Sequence, residues 1–108
     1  QDINNLQSVK LGLTAKLKLL KEKILIETEI RNPTKILSFF TRLKLKDENG
    51  NSIKSAFYSD NFFSLLPGET KKVTVEILRE QIRDNKIDLI LDGWNASTIT
   101  KKLQVIVD

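Results

Sequence analysis

The sequence predicts an all-β fold, a single antiparallel sandwich of about seven short strands. Three observations carry this reading. Apolar residues recur at every second position in run after run, and turn signals built on Gly, Pro, Asn and Asp separate the runs. No stretch has the apolar spacing of an amphipathic helix. A chain of 108 residues can bury one core without disulfides or metals. Residues 9–108 are therefore read as one domain, and the polar stretch 1–8 as a linker from a preceding domain. A chain that starts Gln1-Asp2 and contains no Met reads as a piece of a longer polypeptide or a processed product.

The first predicted strand runs from Val9 to Leu19, with Val9, Leu11, Leu13, Ala15, Leu17 and Leu19 alternating with Lys10, Gly12, Thr14, Lys16 and Lys18. A helix would scatter those leucines around its surface, so the period decides for a strand. Ile24, Ile26, Thr28 and Ile30 form the second alternating face. A reversal at Lys21-Glu22 then places Leu19 opposite Ile24, Leu17 opposite Ile26, Leu13 opposite Ile30 and Lys16 opposite Glu27, although the turn lacks the Gly or Asn that a tight hairpin prefers. Asn32-Pro33 ends this strand, since Pro cannot donate to a ladder.

A third strand is expected over Ile36 to Lys46, with Leu37, Phe39, Thr41, Leu43 and Leu45 inward and Ser38, Phe40, Arg42 and Lys44 outward. In the turn Asp47 to Asn51, a left-handed Gly50 would pair Leu45 with Ile53. A short fourth strand, Ile53 to Phe57, leads into the stretch Tyr58 to Glu69, which reads as a crossing. Pro67-Gly68 closes the crossing in a turn. The fifth strand, Thr70 to Leu78, turns Val73, Val75 and Ile77 inward. Arg79 to Lys86 is a connection with one helical turn near Gln81 and Ile82. The sixth strand spans about Ile87 to Leu91, and the seventh about Ile99 to Val107 with Leu103, Val105 and Val107 inward. The first, second and fifth strands are expected in one sheet and the third, sixth and seventh in the other, as in an immunoglobulin-like or fibronectin-like sandwich.

Composition narrows the chemistry. With no Cys and no His, thiolate nucleophiles, Ser-His and Cys-His catalysis and Cys-based zinc sites are excluded. The charge of +4, from 18 basic and 14 acidic residues, is spread along the chain and reads as a solubility feature. Glu27 and Glu29 are a carboxylate pair, yet two positions apart on one strand they point in parallel to solvent and cannot flank a glycosidic bond. Asp47, Asn49 and Asn51 echo a calcium loop without its Gly and terminal Glu in place. The strand lysines have no interleaved aromatic platform for nucleic acid, and no apolar run is long enough to span a membrane. Asn95-Ala96-Ser97 matches the glycosylation acceptor pattern, which is short and often met by chance. No catalytic residue, cofactor or metal ligand is expected.

The aromatic residues carry more information. Phe57, Tyr58, Phe62, Phe63 and Trp94 lie in or beside loops. Phe57 is expected to close the sandwich and Trp94 to cover its end. Tyr58, Phe62, Phe63 and Trp94, with Asp60, Asn61 and Asn95, are the candidates for a surface that docks a neighbouring domain or, on the resemblance given next, contacts a sugar.

Three motifs stand in order: Phe39-Phe40-Thr41-Arg42-Leu43, the run Tyr58-Ser59-Asp60-Asn61-Phe62-Phe63-Ser64-Leu65-Leu66-Pro67-Gly68-Glu69, and Gly93-Trp94-Asn95. Together they resemble the C-terminal immunoglobulin-like domain of glycoside hydrolase family 2 enzymes of the β-mannosidase and exo-β-glucosaminidase type. Phe62 stands where the family often has Tyr. The resemblance implies a non-catalytic accessory domain that packs against the catalytic barrel and sandwich domains of its own polypeptide, the glutamates that hydrolyse the β-glycosidic bond lying outside this chain. It also implies export to the periplasm or cell exterior. The alternative is a carbohydrate-binding module, with Trp94 and Tyr58 stacking on pyranose faces and Asp60-Asn61 fixing orientation.

Overall fold

The alternation of the sequence becomes register in a computed structural model that describes residues 7–82 and 85–105. Its strands are β1 (Gly12–Leu19), β2 (Lys23–Arg31), β3 (Ser38–Asp47), β4 (Phe57–Tyr58), β5 (Phe63–Leu65), β6 (Thr70–Leu78), β7 (Lys86–Asp92) and β8 (Ile99–Gln104). They form two antiparallel sheets, β1-β2-β6-β4 and β5-β3-β7-β8. The expected division of strands between the sheets holds, and the two shortest strands, β4 and β5, each add an edge. Between the sheets lie Leu13, Ile24, Ile26, Ile30, Val73, Val75 and Ile77 from one side and Leu43, Leu45, Phe63, Leu65, Ile87, Leu89 and Leu91 from the other. The expected linker, residues 1–8, lies mostly outside the described residues, as do Val107 and part of the connection before β7.

The first hairpin has the register that its apolar pattern requires, with Leu13 opposite Ile30, Lys16 opposite Glu27 and Leu19 opposite Ile24. A slip of one residue would have turned the leucines to solvent. The ion pair of Glu27 is nevertheless the diagonal one, Lys18 Nζ lying 2.7 Å from its Oε1. The turn, which has no Gly, is closed by the Leu20 N–H on the Lys23 carbonyl at 2.8 Å and tied to the residue just after β6, whose N–H (Arg79) donates to the Glu22 carbonyl at 2.9 Å. The ladder of β1 starts later than Val9. Val9 instead bridges Ala96 in parallel, its N–H donating to the Asn95 carbonyl at 2.7 Å and its own carbonyl accepting from Ser97 at 3.0 Å. The entering chain is thus tied to the second sheet before it joins the first.

Three expectations are corrected. In β3, pairing with β5 shifts between Ser38 and Thr41, and Phe40 takes φ 50°. This bulge inserts a residue and inverts the parity of everything before it. Ser38 therefore faces inward together with Thr41, their hydroxyl oxygens 2.8 Å apart, while Phe39 is only half buried. Second, Ile53 to Phe57 is no strand. The Ile53 N–H still bonds the Leu45 carbonyl at 2.9 Å, as the Gly50 turn predicted, but the chain then leaves β3 and crosses to pair Phe57 with Glu76 and Tyr58 with Val75. Third, Phe57 does not close the sandwich. On β4 it shares a face with the outward Glu76, and it is 72% exposed.

The stretch Tyr58 to Glu69 does cross, from the edge of one sheet at β4 to the edge of the other at β5. It ends in a type II turn with Pro67 first and Gly68 at φ 78°, closed by the Glu69 N–H on the Leu66 carbonyl at 3.0 Å. The predicted helical turn is a short 3-10 segment, Arg79–Gln81.

Candidate functional site

At one end of the β5-β3-β7-β8 sheet, the bulge of β3, the start of β5 and the loop after β7 come together. They form a shallow groove of about 510 Å³ lined by Phe40, Arg42, Phe62, Asp92, Gly93, Trp94 and Thr98. Phe40, Phe62 and Trp94 are 60%, 63% and 52% exposed. Trp94 meets Phe40 at 5.7 Å with the rings tilted by 54°, and meets Phe39 edge-on at 6.1 Å. Gly93 lets the loop lie close to the bulge, because a Cβ there would stand 3.1 Å from the Phe39 carbonyl oxygen.

Arg42 anchors the groove floor. Its Nε donates to Asp92 Oδ1 at 2.7 Å, its guanidinium lies 6.0 Å from the Phe62 ring centre, and Lys44 Nζ approaches the other carboxylate oxygen at 3.4 Å. Burial alone would raise the Asp92 carboxyl, but the Arg42 hydrogen bond and the two cations outweigh it and hold the group below its ordinary range. Arg42 is correspondingly raised, first by the Asp92 hydrogen bond.

The candidate residues divide between surface and interior. Phe62 and Trp94 are in the groove. Phe63 is buried in the core, with Lys71 Nζ 5.0 Å from its ring centre. Tyr58 is half buried against the core, and desolvation raises its hydroxyl. Asp60 is exposed and held below its ordinary range chiefly by the hydrogen bond from Lys71, whose Nζ lies 2.8 Å away. Neither Tyr58 nor Asp60 lines the groove.

The two asparagines face inward. Asn61 accepts from the Leu43 N–H at 2.8 Å and donates to the Leu43 carbonyl at 3.0 Å. The buried Asn95 accepts from the Phe39 N–H at 2.8 Å and donates to the Leu37 carbonyl at 2.8 Å. Its amide nitrogen is thus engaged inside the fold, which does not suit a glycan acceptor. In the loop after β3, Asp47 Oδ1 already accepts the N–H groups of Asn49 and Asn51, each at 2.9 Å, in place of a cation.

Phe40, Arg42 and Asp92 were missed as groove residues. The signal for Phe40 was present: adjacent residues of a regular strand face opposite ways, so Phe39-Phe40 must turn one ring outward. The groove has aromatic faces and one neutralised carboxylate, a set of groups suited to contact. Among the described residues no cluster of His, Cys, Asp and Glu could hold a metal ion.

Comparison with known proteins agrees with the fold. The family model described as the exo-beta-D-glucosaminidase Ig-fold domain matches residues 1–96. An exo-beta-D-glucosaminidase from Amycolatopsis orientalis is 30% identical over 63 residues, which are 58% of this chain and 6% of the relative. The crystal structure of the Amycolatopsis orientalis exo-chitosanase CsxA superposes with a TM-score of 0.83 at 25% identity, over 92% of this chain and 12% of that one. The yjhA protein of Bacillus subtilis superposes with a TM-score of 0.60 at 14% identity, over 94% and 95% of the two chains, and shares the fold alone. This chain therefore spans a small part of the hydrolases it matches. It belongs to the exo-β-D-glucosaminidase Ig-fold domain family, an immunoglobulin-like domain of glycoside hydrolase family 2.

Proposed function

We propose that this chain is a non-catalytic accessory domain, docked against other domains of a polypeptide that hydrolyses a β-glycosidic bond elsewhere along its length. The observation that carries this is the cluster of Phe40, Phe62 and Trp94, large rings each more than half exposed and gathered at one place. Apolar groupings of this kind on a domain surface mark contact sites. The names of the relatives favour an exo-β-D-glucosaminidase parent over the β-mannosidase type. A second reading, a carbohydrate-binding module, is favoured by the position of Trp94 beside the Arg42–Asp92 pair, which offers a ring for stacking and polar groups for orientation.

Titration of the chain with β-linked glucosamine and mannose oligosaccharides separates the two readings. The fluorescence of Trp94, the single tryptophan, should stay unchanged up to millimolar sugar. Saturable binding that calorimetry finds in this chain but not in Trp94→Ala would overturn the docking reading in favour of the module.

A further inference from the structure

The sequence sets an Asn or Asp directly before a glycine at two places, Asn49-Gly50 and Asp92-Gly93. Such a pair can cyclise: the glycine backbone nitrogen attacks the side-chain carbonyl carbon, and glycine, with no Cβ, leaves that approach open. The fold treats the two pairs in opposite ways. Arg42 holds the Asp92 carboxylate at 2.7 Å and Lys44 approaches it at 3.4 Å, and an ionised carboxylate has no leaving group to lose. The backbone after Gly93 is fixed as well, the Trp94 N–H donating to the Phe39 carbonyl at 3.0 Å.

Asn49 lies open. It and Gly50 are exposed in the turn after β3, and nothing stands within 4 Å of where a Gly50 Cβ would be. Its backbone N–H is taken by Asp47, while its carboxamide has no hydrogen-bond partner among the described residues. By contrast, the amides of Asn32, Asn61 and Asn95 are bonded inward to backbone groups. The residues that follow those three are Pro33, which has no N–H, and Phe62 and Ala96, whose side chains hinder attack.

The turn itself restrains Asn49. The Gly50 N–H donates to the Asp47 carbonyl at 3.0 Å, and Asp47 Oδ1 accepts the N–H groups of Asn49 and Asn51 at 2.9 Å each. The Gly50 nitrogen must leave its bond and lose its proton before it can attack. Every contact that Asp47 makes across the turn opposes that step.

We propose that Asn49 is a site of spontaneous deamidation and that Asp47 is the residue that restrains it. The Gly50 nitrogen gives its proton to solvent base and bonds to the Asn49 side-chain carbonyl carbon, and the carboxamide nitrogen leaves as ammonia with a proton from water. Water then opens the cyclic imide. Opening at the side-chain carbonyl gives Asp, and opening at the backbone carbonyl gives isoaspartate, whose main chain runs through Cβ. Either product adds a negative charge beside Asp47 and Glu48. Isoaspartate also lengthens the turn that sets the Ile53 N–H on the Leu45 carbonyl.

Ageing of the full-length polypeptide in mildly alkaline buffer, followed by peptide mapping, tests this. Cleavage after Lys46 and Lys54 releases residues 47–54, and fragmentation separates Asn49 from Asn51. Asn49 should convert first, to Asp and isoaspartate together, as opening of an imide requires. Asp47→Ala should speed conversion about tenfold, the size expected from one or two lost hydrogen bonds. Asp47→Ser keeps an oxygen that can accept the two N–H groups and should stay within about threefold of the unsubstituted rate. In urea all three proteins should react alike, since no turn is left to restrain them.

An unconverted Asn49 under conditions where the free peptide 47–54 reacts would overturn the site and show that the fold closes it. Earlier conversion at Asn51, Asn61, Asn95 or Asp92 would overturn the choice of residue. Equal rates in Asp47→Ala and the unsubstituted protein would overturn the restraint, and an Asp47→Ser as fast as Asp47→Ala would assign it to the carboxylate charge instead of the hydrogen bonds.

Discussion

Three asparagine side chains bond the backbone of β3 and of the segment entering it where a strand neighbour is missing. Asn32 donates to the carbonyls of Ile36 and Leu65 at 2.7 and 3.1 Å, Asn95 serves Leu37 and Phe39, and Asn61 serves both groups of Leu43. A carboxamide carries a donor and an acceptor at the spacing of a peptide group, so it can replace a missing strand neighbour where a bulge interrupts pairing. Asn95→Ala leaves the Phe39 N–H and the Leu37 carbonyl without their partner in a half-buried setting. Urea unfolding should show a loss of about 2–3 kcal/mol. A loss within experimental error would mean that water or backbone relaxation satisfies both groups and that the clamp is not needed. Asn61 and Asn95 were legible as special residues but not as interior ones. An asparagine in a loop reads the same whether its amide bonds inward to backbone or outward to a ligand, and only the bulge, a three-dimensional event, decides which.

Where the period of two is unbroken the register and the division between sheets were legible, though not every strand end, and the irregular parts of the fold were not. The β1–β2 register and the whole of β6 follow from alternation alone, because one-sided burial punishes any slip. In β3 the same rule failed between Ser38 and Thr41, since a single left-handed residue inverts parity and leaves no mark in hydropathy. β4 and β5 are too short to show a period at all, and their placement depends on where the crossing meets each sheet. Alternation also says nothing about depth. Leu13 and Leu19 look equivalent in sequence, yet Leu13 is buried and Leu19, near the hairpin tip, is 40% exposed. Leu13→Ala should therefore cost about 2–5 kcal/mol by cavity formation and lost burial. Leu19→Ala should cost less than about 1 kcal/mol, both read from denaturant midpoints at constant slope. Equal losses would show that the hairpin tip packs in solution against something that the fold of this chain alone does not provide.

The two outer faces of the sandwich differ in what they can hold. The β1-β2-β6-β4 face carries cross-strand ion pairs such as Lys18–Glu27, Lys23–Glu76 and Lys72–Glu29, all well exposed. Pairs of this kind contribute little to stability and keep a sheet surface wet. The other face carries ion pairs too, Lys102–Asp88 among them, and adds the aromatic groove at one end. Among the described residues, three carboxylates and one tyrosine with shifted titration shape the pH response. Glu27, through its Lys18 hydrogen bond, is held below its ordinary range. So are Asp60, through Lys71, and Asp92, where Arg42 and Lys44 overcome a burial effect of opposite sign. Each of these carboxylates binds its proton more weakly in the folded chain than in the unfolded one. As pH falls below about 4 the unfolded chain takes up protons first and stability is lost. Tyr58, raised mainly by burial, holds its proton more tightly when folded, so stability also falls above about pH 10. With no His in the sequence, side chains give no cause for a change between about pH 5 and 8. Urea midpoints measured across this range should trace a flat plateau with an acid and an alkaline limb. Asp92→Asn should lower the plateau and make the acid limb shallower, since the variant has one carboxylate fewer to protonate. A variant that keeps the slope of the acid limb would assign it to Glu27 and Asp60 and remove Asp92 from the account.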